Sequence, residues 1–246
     1  MLAEPADQQK LLNLADLDSE MGRLQHTARS LPEHQRIADL MKERSQVADS
    51  LVEATTLVDD LQVALRRAEA DIVPVRARLE RDRSRISDGS ISDGKTLSGL
   101  IDEVARIERR IVELEEDEFE VMARLEDAET RASELATRRD EVEVALRDEV
   151  TARDARVADL SAEAKGVAAG RAELVGQLPP ALLTLYEKIR AHTGMGAAKL
   201  HRGRCTGCQL EITVADLDAY RRAPANEVLR CAECDRILVR AADSGL

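Results

Sequence analysis

Apolar residues recur at alternating steps of three and four over two long stretches, and that spacing constrains the fold more than any other feature. The first stretch runs Ile37, Leu40, Arg44, Val47, Leu51, Ala54, Val58, Leu61, Leu65, Ala68, Ile72, Val75 and Leu79. The second runs Leu97, Leu100, Val104, Ile107, Ile111, Leu114, Glu118, Val121, Leu125, Ala128, Ala132, Leu135, Arg139, Val142 and Leu146. A seven-residue repeat of this kind places one seam of a helix against a partner helix and imposes a left-handed supercoil. Between the stretches lie Ser87-Asp88-Gly89 and Ser92-Asp93-Gly94, residue types that cluster where a chain reverses. Residues 37–167 are therefore expected to form one antiparallel helical hairpin with its tip near 87–95, the second helix beginning near Thr96. With the fold centred near Ile91, Leu51 would face Arg131 and Ala132. An interchain bundle would satisfy the same heptads.

Composition agrees with a thin seam and argues against a thick core. Phe119, Tyr186 and Tyr220 are the only aromatic residues, there is no tryptophan, and 34% of the chain is charged. An earlier helix is expected over residues 8–31, from the stripe Leu14, Leu17, Met21 and Leu24, with a break or kink at Pro32. Pro74 is expected to bend the first arm. Near Val150 the heptad phase slips, and this stutter falls opposite Pro32. The second arm is expected to fray at Gly166, Gly170 and Gly176. Pro179-Pro180 then leads a short amphipathic helix through Arg190. The chain thus divides into a helical hairpin, 1–176, and a second part, 177–246, holding the proline-led helix and whatever the cysteines build. The fold class is mainly α, with a small C-terminal β element.

Definable chemistry lies in that second part. Cys205-Thr206-Gly207-Cys208 and Cys231-Ala232-Glu233-Cys234 form two CxxC units. Each is a tight turn that points two sulfurs to one side. Four thiolates so arranged suit one tetrahedral Zn2+, and they close its coordination sphere, leaving no position for a reacting water. A structural zinc held by Cys205, Cys208, Cys231 and Cys234 is expected. The flanks, 199–201, 209–212, 228–230 and 236–240, look like strands of a small antiparallel ribbon, with a short helical turn over 216–222. His201, four residues before Cys205, is expected to be a strand residue and not a fifth ligand.

Charge bounds the partners. The formal net charge is −12, yet from Lys199 onward eight Lys/Arg meet seven Asp/Glu, so the acid lies in the helical part. Such a rod cannot bind nucleic acid through counterion release. If nucleic acid is a partner, the ribbon must make the contact, through Arg202, Arg204, Arg221, Arg222, Arg230 and Arg236. No apolar run approaches the roughly 18 residues that span a bilayer, and the N-terminus lacks the layout of a secretory signal. A cytoplasmic address follows, with no membrane association. No Ser/His/Asp set, phosphate-cradling loop or HExxH motif is present, so neither enzymatic activity nor a small-molecule substrate is expected.

Four stretches carry a resemblance: Ser92-Asp93-Gly94-Lys95-Thr96-Leu97, the proline-led helix 178–190, Gly203-Arg204-Cys205-Thr206-Gly207-Cys208, and 230–239 around the second cysteine pair. Together they resemble the bacterial C4-type zinc-ribbon family with an N-terminal coiled-coil hairpin. The Arg- and Ala-rich composition looks actinobacterial. Where relatives often have a Gly-Gly pair before Met195, this chain has Thr193-Gly194. The resemblance implies a long, kinked hairpin with a zinc ribbon packed at its open end. It also implies a chaperone or adaptor role like that of relatives serving flagellar and type III secretion systems and an alternative sigma factor. One branch is linked to messenger RNA. The leading expectation is a non-enzymatic adaptor that binds a protein partner. The alternative is a ribbon that binds RNA or DNA with the coiled coil as spacer.

Overall fold

The computed structural model describes residues 1–246. In chain order the elements are α1 (Pro5–Arg29), α2 (Pro32–Ser87), α3 (Gly94–Gly176), α4 (Pro180–Thr193), β1 (Ala197–His201), β2 (Arg204–Cys205), α5 (Val214–Arg222), β3 (Leu229–Arg230) and β4 (Ile237–Arg240). Contacts divide them into two units, Gln35–Val150 on one side and Met1–His34 with Thr151–Leu246 on the other.

The Gln35–Val150 unit is a helical hairpin. Its seam buries Ile37, Val47, Ala54, Leu61, Ile72 and Leu79 of α2 and Ile107, Ile111, Leu114, Ala128, Leu135 and Val142 of α3. All twelve are heptad positions. Ion pairs flank the seam and join the two arms of one chain: Arg36–Glu149 at 3.2 Å, Arg44–Glu143 at 2.8 Å, Arg78–Glu103 at 2.7 Å and Arg83–Glu108 at 2.7 Å. The heptads are therefore satisfied within the chain. Arg44 and Arg139, both on the seam, do not oppose each other bare, because Arg139 turns to Asp140 at 2.7 Å.

At the tip, Gly89 takes φ 69°, where a Cβ would be strained. The Asp93 carboxylate then accepts the Thr96 backbone N–H at 2.9 Å, capping α3. The helix accordingly starts at Gly94, two residues before the expected point. The Thr96 hydroxyl and backbone N–H hold the Asp93 carboxyl below its ordinary range.

α2 is continuous through Pro74. Two expectations change here. α3 continues through Gly166 and Gly170 to Gly176, with no frayed end, because isolated glycines cost a helix only about 1 kcal/mol each. The register also shifts. Centring on Ile91 would set Leu79 opposite Glu103, whereas Leu79 packs with Ile107 and Ile111, at least one turn further along. A heptad seam tolerates that slip because each apolar seam residue still meets another apolar seam residue, so the midpoint of the turn does not fix the pairing.

The second unit is layered around a four-stranded sheet of order β2-β1-β4-β3. Alternation along the strands separates two cores. Ala197, Ile237 and Val239 face Leu11, Leu14 and Ala15 of α1 and Leu182, Tyr186 and Ile189 of α4. Ala198, Leu200 and Leu238 face Cys205, Cys231, Ile212 and Leu229, with Leu217 and Tyr220 of α5 packed beside them. The sheet is mixed, not wholly antiparallel. β1 pairs with β4 in parallel, while β1–β2 and β3–β4 are antiparallel. A parallel pair needs a long crossover, and both cysteine turns and α5 lie within this one. The strand expected over 209–212 reduces to a single bridge, Arg204 to Glu211.

The N-terminus is tied to the same unit. The Ala3 N–H donates to the Asn226 carbonyl at 2.8 Å, and the Val228 N–H donates to the Met1 carbonyl at 3.0 Å. Buried Gln8 donates to the Ala3 carbonyl at 2.9 Å. α1 ends at Arg29, and α2 restarts at Pro32, which needs no backbone donor in a first turn.

Candidate metal centre

The two CxxC segments form the same turn twice. In the first, the Cys205 N–H donates to the Leu210 carbonyl at 3.0 Å and the Gln209 N–H to the Cys205 carbonyl at 2.9 Å. In the second, the Cys231 N–H donates to the Arg236 carbonyl at 2.9 Å and the Asp235 N–H to the Cys231 carbonyl at 2.9 Å. The residue after each second cysteine, Gln209 or Asp235, has positive φ, 63° and 58°. That left-handed step closes the turn and directs both sulfurs inward. Gly207 is required by packing. A Cβ there would lie 2.8 Å from Arg236 Cδ and 2.9 Å from Ala198 Cβ.

The four sulfurs lie within 4.8 Å of one another. Cys205 and Cys234 Sγ are 3.9 Å apart, as are those of Cys208 and Cys231. A tetrahedron with Zn–S near 2.3 Å has edges of about 3.8 Å, so the donor set fits one zinc ion. Those separations exclude disulfides, and all four cysteines are free. Burial pushes the Cys205 thiol up to about 12 and raises that of Cys231. Burial acts the same way on Cys234. There, backbone N–H of Arg236 and side-chain hydrogen bonds from Cys231, Arg236 and Cys208 outweigh it and bring the thiol to about 7. A metal that takes all four as thiolates must therefore displace protons as it binds.

His201 is a strand residue, as expected. Its Nδ1 lies 2.7 Å from an Asp243 carboxylate oxygen that also takes the Lys199 ammonium at 2.9 Å. Lys199 first, and then His201, hold the Asp243 carboxyl below its ordinary range.

Most of the ribbon arginines are engaged within the chain. Arg204 pairs with Glu211 at 2.7 Å, and Arg221 with Asp218 at 2.8 Å. Arg222 donates to the Asp218 carbonyl at 3.0 Å, and Arg230 to the Asp235 carbonyl at 2.8 Å. Arg236 donates to the Thr193 carbonyl at 2.8 Å, tying the second turn to the end of α4. Arg240 reaches the Glu227 carbonyl at 3.0 Å and the Tyr220 and Ala223 carbonyls at 3.3 Å, and burial lowers its pKa. Arg202 is exposed on the turn between β1 and β2.

One buried constellation was not anticipated. The Asp18 carboxylate on α1 accepts Arg171 Nε of α3 at 2.7 Å, Arg190 Nε of α4 at 3.1 Å and the Tyr186 hydroxyl at 2.6 Å. Glu187 bridges the same two arginines. Burial and the adjacent Asp18 raise the Tyr186 pKa. Beside it, a Cβ at Gly196 would lie 2.5 Å from Tyr186 Cδ2 and 2.7 Å from the Tyr186 carbonyl oxygen. The available sequence signal was the i, i+4 spacing of Tyr186 and Arg190 on α4, which turns both to one face.

A family model described as "CT398-like coiled coil hairpin domain" matches residues 14–194, and one described as "C4-type zinc ribbon domain" matches residues 204–238. A Mycobacterium tuberculosis protein described as uncharacterized is 32% identical over 240 residues, covering 98% of both chains. A Mycobacterium smegmatis structure, 34% identical, aligns with a TM-score of 0.82 over 98% of this chain and 100% of that one. CT398 from Chlamydia trachomatis, 16% identical, shares the fold at a TM-score of 0.67 over 96% of this chain and 98% of that one. The mycobacterial relatives match the actinobacterial look of the composition. No helix is long and apolar enough to cross a membrane.

Proposed function

Since the chain belongs to the CT398-like coiled-coil hairpin family and carries a C4-type zinc ribbon, we propose that it is a non-enzymatic, cytoplasmic adaptor for a protein partner. Cys205, Cys208, Cys231 and Cys234 hold one structural zinc. When bound, the metal cross-links the two turns and fixes the face they present. Four sulfur ligands leave it no open position, which suits scaffolding and not hydrolysis. The carrying observation is the state of the ribbon arginines. Arg204 and Arg221 are neutralised by Glu211 and Asp218, and Arg236 and Arg240 brace backbone carbonyls. A ribbon so balanced presents shape and hydrogen bonds more than a polycationic track.

Elemental analysis of the purified protein is expected to find one zinc per chain. Binding of single-stranded RNA and of duplex DNA is expected to be negligible at low salt. Affinity that falls steeply with salt, and is lost on replacing Arg202, Arg204, Arg221 and Arg222 by alanine, would overturn the protein-adaptor reading in favour of a nucleic-acid-binding ribbon.

A further inference from the structure

Within the hairpin unit, α3 carries the chain's one phenylalanine on the outside. Phe119 is 72% exposed and Met122 49% exposed. With Leu65 of α2 and Ala123 and Leu125 of α3 they line a groove of about 260 Å³, completed by Glu126 and Glu129. From position 119 to position 129 the α3 side of this groove extends about 15 Å, or roughly three helical turns. Exposed aromatic and methionine side chains in a helix–helix groove suit the apolar face of a third helix, since methionine repacks readily around varied side chains.

Charge selects the kind of helix. Residues 113–129 hold nine Asp/Glu and only Arg124 as a base, a net −8. On α2, residues 58–72 hold four acids, Asp59, Asp60, Glu69 and Asp71, against Arg66 and Arg67, a net −2. The patch therefore concentrates −10 in a chain whose total is −12. Glu113 and Glu115 are paired with Arg110 and Arg76, but Glu126 and Glu129, which line the groove, are not among the chain's ion pairs. A second copy would bring the same −10 against it. Nucleic acid and anionic lipid are repelled for the same reason.

We propose that the groove formed by Leu65, Phe119, Met122 and Leu125 is a docking site for a cationic amphipathic helix of the partner protein. The apolar stripe of that helix covers Phe119 and Met122, and its Lys or Arg residues meet Glu126 and Glu129. This rests on the adaptor reading and gives it a surface and a partner chemistry.

The test uses the full-length, zinc-loaded protein and a fluorescent peptide of about 18 residues, with Leu at i, i+3, i+4 and i+7 spacing and Lys or Arg elsewhere. A peptide of the same composition in scrambled order is the control. Binding of the amphipathic peptide is expected to be at least about tenfold tighter than that of the control, and to weaken at least about tenfold in Phe119→Ser/Met122→Ser. Glu126→Gln/Glu129→Gln is expected to weaken binding less and to flatten its salt dependence. Val144→Ser, at an exposed apolar position elsewhere on α3, is expected to change nothing. Equal binding of ordered and scrambled peptides, or binding indifferent to Phe119 and Met122, overturns the proposal. Either result leaves the adaptor reading standing, because that reading fails on salt-sensitive nucleic-acid binding through the ribbon, whatever the peptide does.

Discussion

The hairpin unit and the ribbon unit solve the same problem, too few large apolar residues, in opposite ways. In the hairpin, Gln35–Val150, burial is distributed along a seam one side chain thick, with partly exposed ion pairs at its edges. No single residue there holds more than its own turn. In the ribbon unit, burial is gathered into two compact clusters on the faces of a small sheet, and a few focal points are set into them: four cysteines, one buried carboxylate and one glycine pressed against a tyrosine. Both tyrosines, Tyr186 and Tyr220, lie in the ribbon unit, and the hairpin's only aromatic residue is Phe119. Tyrosine fluorescence therefore reports on one unit, while far-UV circular dichroism is dominated by the long helices.

The largest expected effect is loss of the metal. Zinc binding in small metal-folded domains supplies on the order of 10 kcal/mol. Chelation, or Cys208→Ser with Cys234→Ser, is expected to open the arginine-rich 202–236 segment to rapid trypsin cleavage and to leave the helical signal nearly unchanged. The layer of α1 and α4 against the sheet contains no cysteine, so it should outlast the turns. Unchanged resistance in protein shown to be metal-free would erase the contrast between the units.

Next comes Asp18→Ala, expected to destabilise the ribbon unit by about 3 kcal/mol. The substitution leaves Arg171, Arg190 and the Tyr186 hydroxyl without the acceptor they converge on. Asp18→Asn, which retains an acceptor for Tyr186, should cost less. Urea unfolding followed by tyrosine fluorescence measures both, and equal costs would show that the retained acceptor adds nothing once the charge is gone. Gly196→Ala follows at about 2 kcal/mol. The new methyl would meet the Tyr186 ring at 2.5 Å and its backbone carbonyl at 2.7 Å, and the carbonyl cannot rotate away. A wild-type unfolding midpoint would mean that β1 shifts freely at its start.

How far each unit was legible follows from the range of the contacts that make it. The seam was readable because a heptad is a local pattern, and the twelve buried seam residues all fall on it. The metal centre was readable because two CxxC units state their chemistry in four residues each. The parallel β1–β4 pairing was not, since strand-forming segments declare no direction. Nor was the docking of α1 on the sheet, because Leu14 belongs to the same stripe that a hairpin arm would show. Asp18 looked like one more surface acid among 48 Asp/Glu, and only its distant partners, Arg171, Tyr186 and Arg190, set it apart. The register escaped by about one turn because heptads repeat.

The smallest expected effect lies in the hairpin and tests the comparison most closely. Arg44 is the one polar residue in the α2 heptad stripe, and its Nε lies 2.8 Å from Glu143 across the seam, with about half of its side chain exposed. An ion pair so open to solvent contributes less than about 1 kcal/mol and is screened by salt. Arg44→Ala is thus expected to shift thermal unfolding of the helical signal slightly at low ionic strength and hardly at all at high. A larger, salt-independent loss would mean that the arginine's aliphatic stem, not its charge, seals the seam at that turn. The hairpin would then have a focal point of its own.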